Sequence, residues 1–366
     1  MYVISANYRN FRNIKEAEIP FSRGVNILYG GNAEGKTSAI EGIYICSAGR
    51  SHRTMHESEL INHGEDFAQV RLRFEDRIRE KKMDISFLKN GKKSCNVNGI
   101  SMRRMSDFVG VFKAVIFCPE HLSIIKDGPS ARRNFMDRSI SKDDRSYMEA
   151  LQKYNGVLVR RNKLLSDMMF GDMSGADTLE SWDIQLARYA SVISEKREEY
   201  IKKLNVYVGD IFRDMTFGGE DPNIIYSGGY SEDELLKKLQ SQRAREIKNG
   251  VTLFGVHKDD MEITIGGVSS RIYASQGQQR SLSIAMKLSE GEITRELSGE
   301  YPVYLLDDIL SELDEKRRNY LISGFSTKEN ERQVIITCCD DSPLRGEKNA
   351  NKIYVEGGRY EKTRNL

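Results

Sequence analysis

One octapeptide constrains this chain more than any other feature. Gly30-Gly31-Asn32-Ala33-Glu34-Gly35-Lys36-Thr37 has the form G-x-x-x-x-G-K-[ST] and follows Val25-Asn26-Ile27-Leu28-Tyr29, an apolar run that reads as a buried strand. A helix is predicted from Lys36 to about Cys46. Strand, glycine-rich loop and helix start, in that order, make a cradle for phosphate. The glycines let the backbone curl so that successive N–H groups face an anion, and the helix start adds a partial positive charge. Lys36 then reaches the β and γ phosphates of ATP, and the Thr37 hydroxyl coordinates Mg²⁺. Ala33 is small enough not to obstruct the loop. The expected fold class is α/β.

Two further segments fit the same site. Tyr304-Leu305-Leu306-Asp307-Asp308 is an apolar strand ending in two carboxylates, expected to lie adjacent to the phosphate-loop strand. Asp307 is the metal-side carboxylate for Mg²⁺. Asp308, at the next position and pointing differently because side chains alternate along a strand, orients or deprotonates the attacking water, or else caps a turn. The third segment, Ser275-Gln276-Gly277-Gln278-Gln279-Arg280, precedes a helix predicted over Ser281 to Ser289. It resembles the signature motif of ABC ATPases, and the resemblance implies that Ser275, Gly277 and Gln278 bind the γ-phosphate held by a second copy. The plain alternative is a polar loop that caps a helix.

The rest of the chain sorts into three stretches. Residues 1–120 form the N-terminal part of the head, in which Phe67 to Ile100 reads as an antiparallel meander with turns at Asn90-Gly91 and Asn98-Gly99. Residues 121–249 carry apolar residues at helical spacing, such as Tyr147, Leu151, Tyr154 and Leu158, then Trp182, Leu186, Tyr189 and Ile193. They are expected to form an inserted α-helical lobe that turns back near Gly171 to Gly175. Residues 250–366 return to strands at Val251–Gly255 and Met261–Ile265 and complete an ATPase head with mixed β-sheets.

Charged residues make up 30% of the 366, which suits long solvated helices, but the net charge is only +2. A grip on a polyanion such as nucleic acid would therefore have to come from local clusters. Candidates are Arg50 and Arg53, Arg71 and Arg73, and Arg103 and Arg104. Basic residues between Arg188 and Lys203 alternate with Glu195, Glu198 and Glu199, as on an exposed helix face. No apolar run approaches the roughly 20 residues of a membrane span, and the start of the chain lacks a signal-peptide core, so a cytoplasmic protein is expected. The five cysteines include no C-x-x-C pair and read as reduced structural thiols; His257 lacks the neighbours of a metal ligand.

An ordered set of motifs resembles the RecF family of bacterial recombination-repair proteins from end to end. It comprises Asn10-Phe11-Arg12-Asn13, the phosphate loop, Gly49-Arg50-Ser51-His52-Arg53-Thr54, and Phe117-Cys118-Pro119-Glu120-His121-Leu122. Gly128-Pro129 with Arg132-Arg133, Tyr154 to Asn162, Gly255-Val256-His257-Lys258-Asp259-Asp260, the signature, and Leu305 through Asp314 follow. The resemblance implies a head like those of Rad50 and SMC proteins with a short helical lobe in place of their coiled coil. It further implies an ATP-dependent homodimer on single-stranded, gapped or duplex DNA, work with RecO and RecR in loading RecA, and links to replication and the SOS response. By the same resemblance Ser311-Glu312-Leu313-Asp314 is a loop crossing the dimer interface, and Arg12 lies near nucleotide. Asp308 stands where most ABC ATPases carry Glu, and Thr337-Cys338-Cys339 where many have His, which implies slow hydrolysis. Two other classes compete: the nucleotide-binding subunit of a membrane transporter, against which the helical insertion argues, and a structural DNA clamp that does not hydrolyse ATP.

Overall fold

The computed structural model describes residues 1–216, 218, 219, 221–326, 332–339 and 350–362. These form two compact units, each interrupted in sequence. The first comprises Met1–Leu122, Ile211–Gly218 and Ser283–Leu366; the second comprises Ser123–Asp210 and Gly219–Leu282.

The first unit contains two six-stranded sheets. One contains the meander expected from Phe67 onward and adds two N-terminal strands, in the order Ile14–Pro20, Tyr2–Phe11, Phe67–Glu75, Glu80–Leu88, Lys93–Val97 and Ile100–Ser101, antiparallel throughout. Alternation places Ala68, Val70, Leu72 and Phe74 on the buried face. The turn at Asn98-Gly99 has both residues at positive φ, 51° and 80°, as a two-residue hairpin requires.

The second sheet runs in the order Arg359–Lys362, Asn351–Glu356, Val25–Tyr29, Val334–Cys338, Val303–Asp307 and Ala114–Phe117. All pairs are parallel except the outermost hairpin. Its central strands are buried along their length, as the near-continuous apolar runs of a two-face-covered sheet demand. The helix Lys36–Ala48 packs against strands of both sheets and is buried almost all round. Gly42 permits this approach, because a Cβ there would stand 2.5 Å from the ring of Tyr8.

The sheet order corrects one expectation. The strand bearing Asp307 is not adjacent to the phosphate-loop strand, since Val334–Cys338 lies between them and pairs in parallel with both.

The second unit holds the helices Pro129–Asp143, Arg145–Met169 and Glu232–Asn249 and the greater part of Leu179–Thr216. The chain turns at Gly171 to Gly175, both with positive φ. A three-stranded antiparallel sheet accompanies them, in the order Val268–Ser269, Asp260–Ile265 and Pro222–Ser227. The strand Pro222–Ser227 lies in a stretch read as wholly helical, and its pairing draws Asp260–Ile265, read as part of the head, into this unit.

The expected strand at Val251–Gly255 is absent. Backbone donors there are taken by side chains: Thr252 N–H donates to Asn162 Oδ1 (2.8 Å) and Leu253 N–H to Glu246 Oε1 (2.8 Å).

Two arginines are fully buried in this unit. Arg161 donates to Asp183 (2.7 Å), Glu246 (2.6 Å) and Thr252 (2.8 Å). Arg197 donates to Asp137 (2.8 Å), Asp259 (3.1 Å) and the Val256 carbonyl (2.8 Å). Arg197 therefore departs from the exposed helix face expected between Arg188 and Lys203. Its neighbours Lys196 and Lys202 do pair at the surface, with Asp144 and Glu198.

Candidate nucleotide site

The phosphate loop is shaped by steric necessity. Gly30 has φ 150°, and a Cβ there would lie 2.2 Å from the carbonyl oxygen of Val355. Gly35 has φ 114° at the start of the helix. Ala33 adopts φ 64°, a left-handed conformation that costs roughly 1–2 kcal/mol in a residue with a Cβ. The loop is braced to hold it. Asn13 Nδ2 donates to the Ala33 carbonyl (2.8 Å), Gly358 N–H to the Glu34 carbonyl (3.0 Å), and the Tyr360 hydroxyl to the Gly35 carbonyl (2.9 Å).

Lys36 is buried, with Nζ donating to the carbonyls of Gly30 (2.8 Å) and Gly31 (2.6 Å). Thr37 Oγ1 donates to Asp307 Oδ1 at 2.8 Å, and Thr337 Oγ1, from the intervening strand, donates to the same oxygen at 2.8 Å. Burial raises the Asp307 carboxyl above its usual range, against the two threonine hydrogen bonds and the charge of Arg53. A buried carboxylate beside a hydroxyl is an all-oxygen donor set of the kind that a hard divalent cation prefers. Thr37 and Asp307 can hold Mg²⁺ on this ground.

A cavity of about 660 Å³ opens over the loop, lined by residues 32–38 together with Arg12, Arg53, Asp308 and Thr337. Asp308 faces it for a different reason from the one expected: the strand ends at Asp307, and Asp308 turns out at φ 50°. Its backbone N–H donates to Thr337 Oγ1 (2.9 Å); it stands at the cap of the turn that follows, where its carboxylate bonds no backbone N–H but accepts from Ser311 Oγ at 3.4 Å. Cys339, the exposed one of the five cysteines, donates its thiol to Asn32 Oδ1 (3.1 Å) at the cavity edge.

Arg12 lines the cavity with its guanidinium already committed. It forms a bidentate pair with Glu41 (2.9 and 2.8 Å), and Arg53 approaches the same carboxylate at 3.5 Å. Burial pushes the Glu41 carboxyl up, but Arg12, Ser51 and Arg53 outweigh it and hold the group below its usual range. Arg53 thus belongs to this cavity. Arg71 and Arg73 pair with Asp84 (2.8 Å) and Glu80 (2.9 Å) at the surface of the meander, and Arg103 and Arg104 are exposed.

Ser275, Gly277 and Gln278 do not line the cavity; they lie in the second unit, at the start of the helix Gln276–Ser298. Gln278 N–H donates to Ser275 Oγ (3.2 Å), and Ser275 N–H donates to Gln278 Oε1 (2.9 Å). This reciprocal pair is a capping box, so the plain helix-capping role is realised in the fold. Ser275 itself is exposed.

His257 is a structural residue. Its Nδ1 accepts from the Tyr154 hydroxyl (2.6 Å), and its Nε2–H points to the Thr252 carbonyl (3.1 Å), a pairing that needs the neutral ring. Burial, with the charges of Lys258, Arg133 and Arg161, depresses its pKa to about 4 despite the bond to Thr252. The unfolded chain takes up the proton near pH 6.5, so stability present above that pH is lost as the pH falls towards 4. Wild-type protein is expected to lose up to about 3 kcal/mol more over that interval than His257→Gln, in urea melts at pH 7 and pH 4. Among the described residues no group of three or more His, Cys, Asp or Glu side chains is gathered as a metal site.

A phosphate loop at the end of a parallel strand, a threonine and an aspartate meeting beside it, and a companion antiparallel sheet define an ATPase head of the ABC and SMC class. The RecF/RecN/SMC N terminal domain family matches residues 2–361. The chain is 40% identical over 344 residues to the DNA replication and repair protein RecF of Clostridium beijerinckii, covering 92% of each. It also superimposes with TM-score 0.91, at 35% identity, on a structure described as the recombination mediator protein RecF-ATP in the RecFOR pathway, covering 99% of this chain and 98% of that one. An Smc head bound to the C-winged helix domain of ScpA shares the fold, with TM-score 0.59 and 17% identity. The chain belongs to the RecF family of DNA replication and repair proteins.

Proposed function

We propose that this protein is an ATP-switched, DNA-binding mediator of recombinational repair and replication. Two copies close on single-stranded, gapped or duplex DNA when each binds ATP, and slow hydrolysis releases them. The closed dimer works with RecR and RecO to promote recombinase loading, supports the SOS response and acts in the cytoplasm. The observation that carries this reading is the meeting of Thr37 and Asp307 at 2.8 Å, residues 270 positions apart, beside a braced phosphate loop. A RecF-ATP relative of nearly the same length, and the lack of any membrane-length apolar helix among the described residues, support it.

The chemistry follows from the donors. Lys36 exchanges two neutral carbonyl partners for the β and γ phosphates, gaining charge-assisted bonds. Thr37 and Asp307 hold Mg²⁺, with Thr337 fixing the carboxylate from the other side. The cation supplies neutralisation of the developing phosphate charge. Asp308, facing the cavity with its carboxylate held only by the long bond from Ser311, orients or deprotonates the attacking water. Ser275, Gly277 and Gln278 present an exposed helix start to the γ-phosphate held by the second copy.

Sedimentation of the full chain tests the coupling. The mass should double with ATP and Mg²⁺, and more readily with gapped duplex, but stay monomeric for Ser275→Arg. Asp308→Asn should accumulate dimer on DNA because release is slowed about 10-fold or more. Release at the wild-type rate would favour a clamp that does not depend on hydrolysis.

A further inference from the structure

Directly before the signature helix, Ile272 and Tyr273 each stand 70% exposed. Large apolar residues commonly reach the surface singly; two in succession on one rigid turn need a reason. This turn is held firmly. Within the one-turn helix Ser270–Tyr273, Ser270 Oγ donates to the Ile263 carbonyl (2.7 Å) in a buried bond, and Arg271 Nε to the Lys126 carbonyl (3.1 Å). Gln279, buried one turn into the signature helix, donates to the carbonyls of Ser270 (3.1 Å) and Arg271 (3.4 Å). The turn and the helix start are thereby locked to one another, with Ile272 and Tyr273 directed outward.

Chain geometry fixes how near they are to Ser275. Consecutive Cα atoms lie about 3.8 Å apart, so the Cα of Tyr273 is within about 7.6 Å of that of Ser275. A body that delivers a phosphate to Ser275 therefore comes within side-chain reach of the exposed Tyr273. Under the proposed two-copy site, on which this inference rests, that body is a second copy of the chain.

We infer that Ile272 and Tyr273 are an apolar dimer contact, buried against the second copy when ATP closes the pair. Pre-ordering lowers the entropic cost of burying them, and tyrosine is among the side chains that most often dominate interface energetics. Their burial also excludes water from the edge of the phosphate contact, which strengthens its electrostatics. The contact explains why the turn is rigid as well as apolar: a mobile turn would lose on ordering what it gains on burial.

The test uses the full chain with ATP and Mg²⁺ in sedimentation across a range of concentrations. Tyr273→Ala and Ile272→Ser should each raise the dimer dissociation constant at least about 10-fold, whereas Tyr273→Phe should stay within about threefold of wild type. Binding of a fluorescent ATP analogue to the dilute monomer, and the melting temperature, should not change. If Ser275→Arg abolishes the dimer while Tyr273→Ala and Ile272→Ser dimerise as wild type, the two-copy site stands and this contact is refuted. A wild-type chain that stays monomeric with ATP overturns both.

Discussion

Replacing Arg161 by Met is expected to destabilise the protein by about 3–5 kcal/mol, read from urea melts of the full chain. The guanidinium is fully buried and bonded to Asp183 and Glu246, neither of which has side-chain access to solvent. Methionine roughly fills the volume but leaves two carboxylates in an apolar interior, with Arg243 still on Asp183 (2.8 Å) and the Leu253 N–H on Glu246 (2.8 Å). The penalty is that of uncompensated charge, so adding Asp183→Asn and Glu246→Gln should recover part of it. A loss below about 1 kcal/mol for the single change would mean that water reaches the carboxylates.

Lys36→Ala is expected to weaken ATP binding by about 100-fold or more, equivalent to roughly 3 kcal/mol, and to abolish nucleotide-dependent dimerisation. The fold should survive, because the amine bonds only to two carbonyls of the loop itself. Calorimetric titration with ATP and Mg²⁺ measures the loss. Affinity within fivefold of wild type would show that the loop backbone and Thr37 suffice to hold the phosphates.

What the sequence disclosed follows from which signals are local. The strand, loop and helix over residues 25–48 are contiguous and obey steric rules that only glycine satisfies, and the meander is legible because one face of it is buried. Thr337, Asn13 and Tyr360 shape the same site from distant positions; Asn13 and Thr337 lay in motifs that drew attention for other reasons, and Tyr360 lay in none. The strand Pro222–Ser227 is too short and too close to glycines to outweigh its helical surroundings. Arg161 was not singled out and Arg197 was read as part of an exposed face because periodicity treats a charged residue as solvated, and a buried arginine betrays itself only through carboxylates that lie far away in sequence. The His257 to Asp260 segment was conspicuous for the same underlying reason: Asp259 and Asp260 are the partners of Arg197 and Arg132.

The order of strands in the parallel sheet has a consequence in time. Val334–Cys338 must slot between two strands made earlier, Val25–Tyr29 and Val303–Asp307. At typical synthesis rates of 5–20 residues per second, the phosphate loop leaves the ribosome roughly 15–50 s before its aspartate does. Through that interval the nascent chain has made only two of the six strands of this sheet, Val25–Tyr29 and Ala114–Phe117, which are not neighbours, and Asp307 is not yet beside the loop. Nucleotide can therefore stabilise only a finished molecule, and a ribosome that stalls before residue 338 leaves a fragment that ATP cannot rescue.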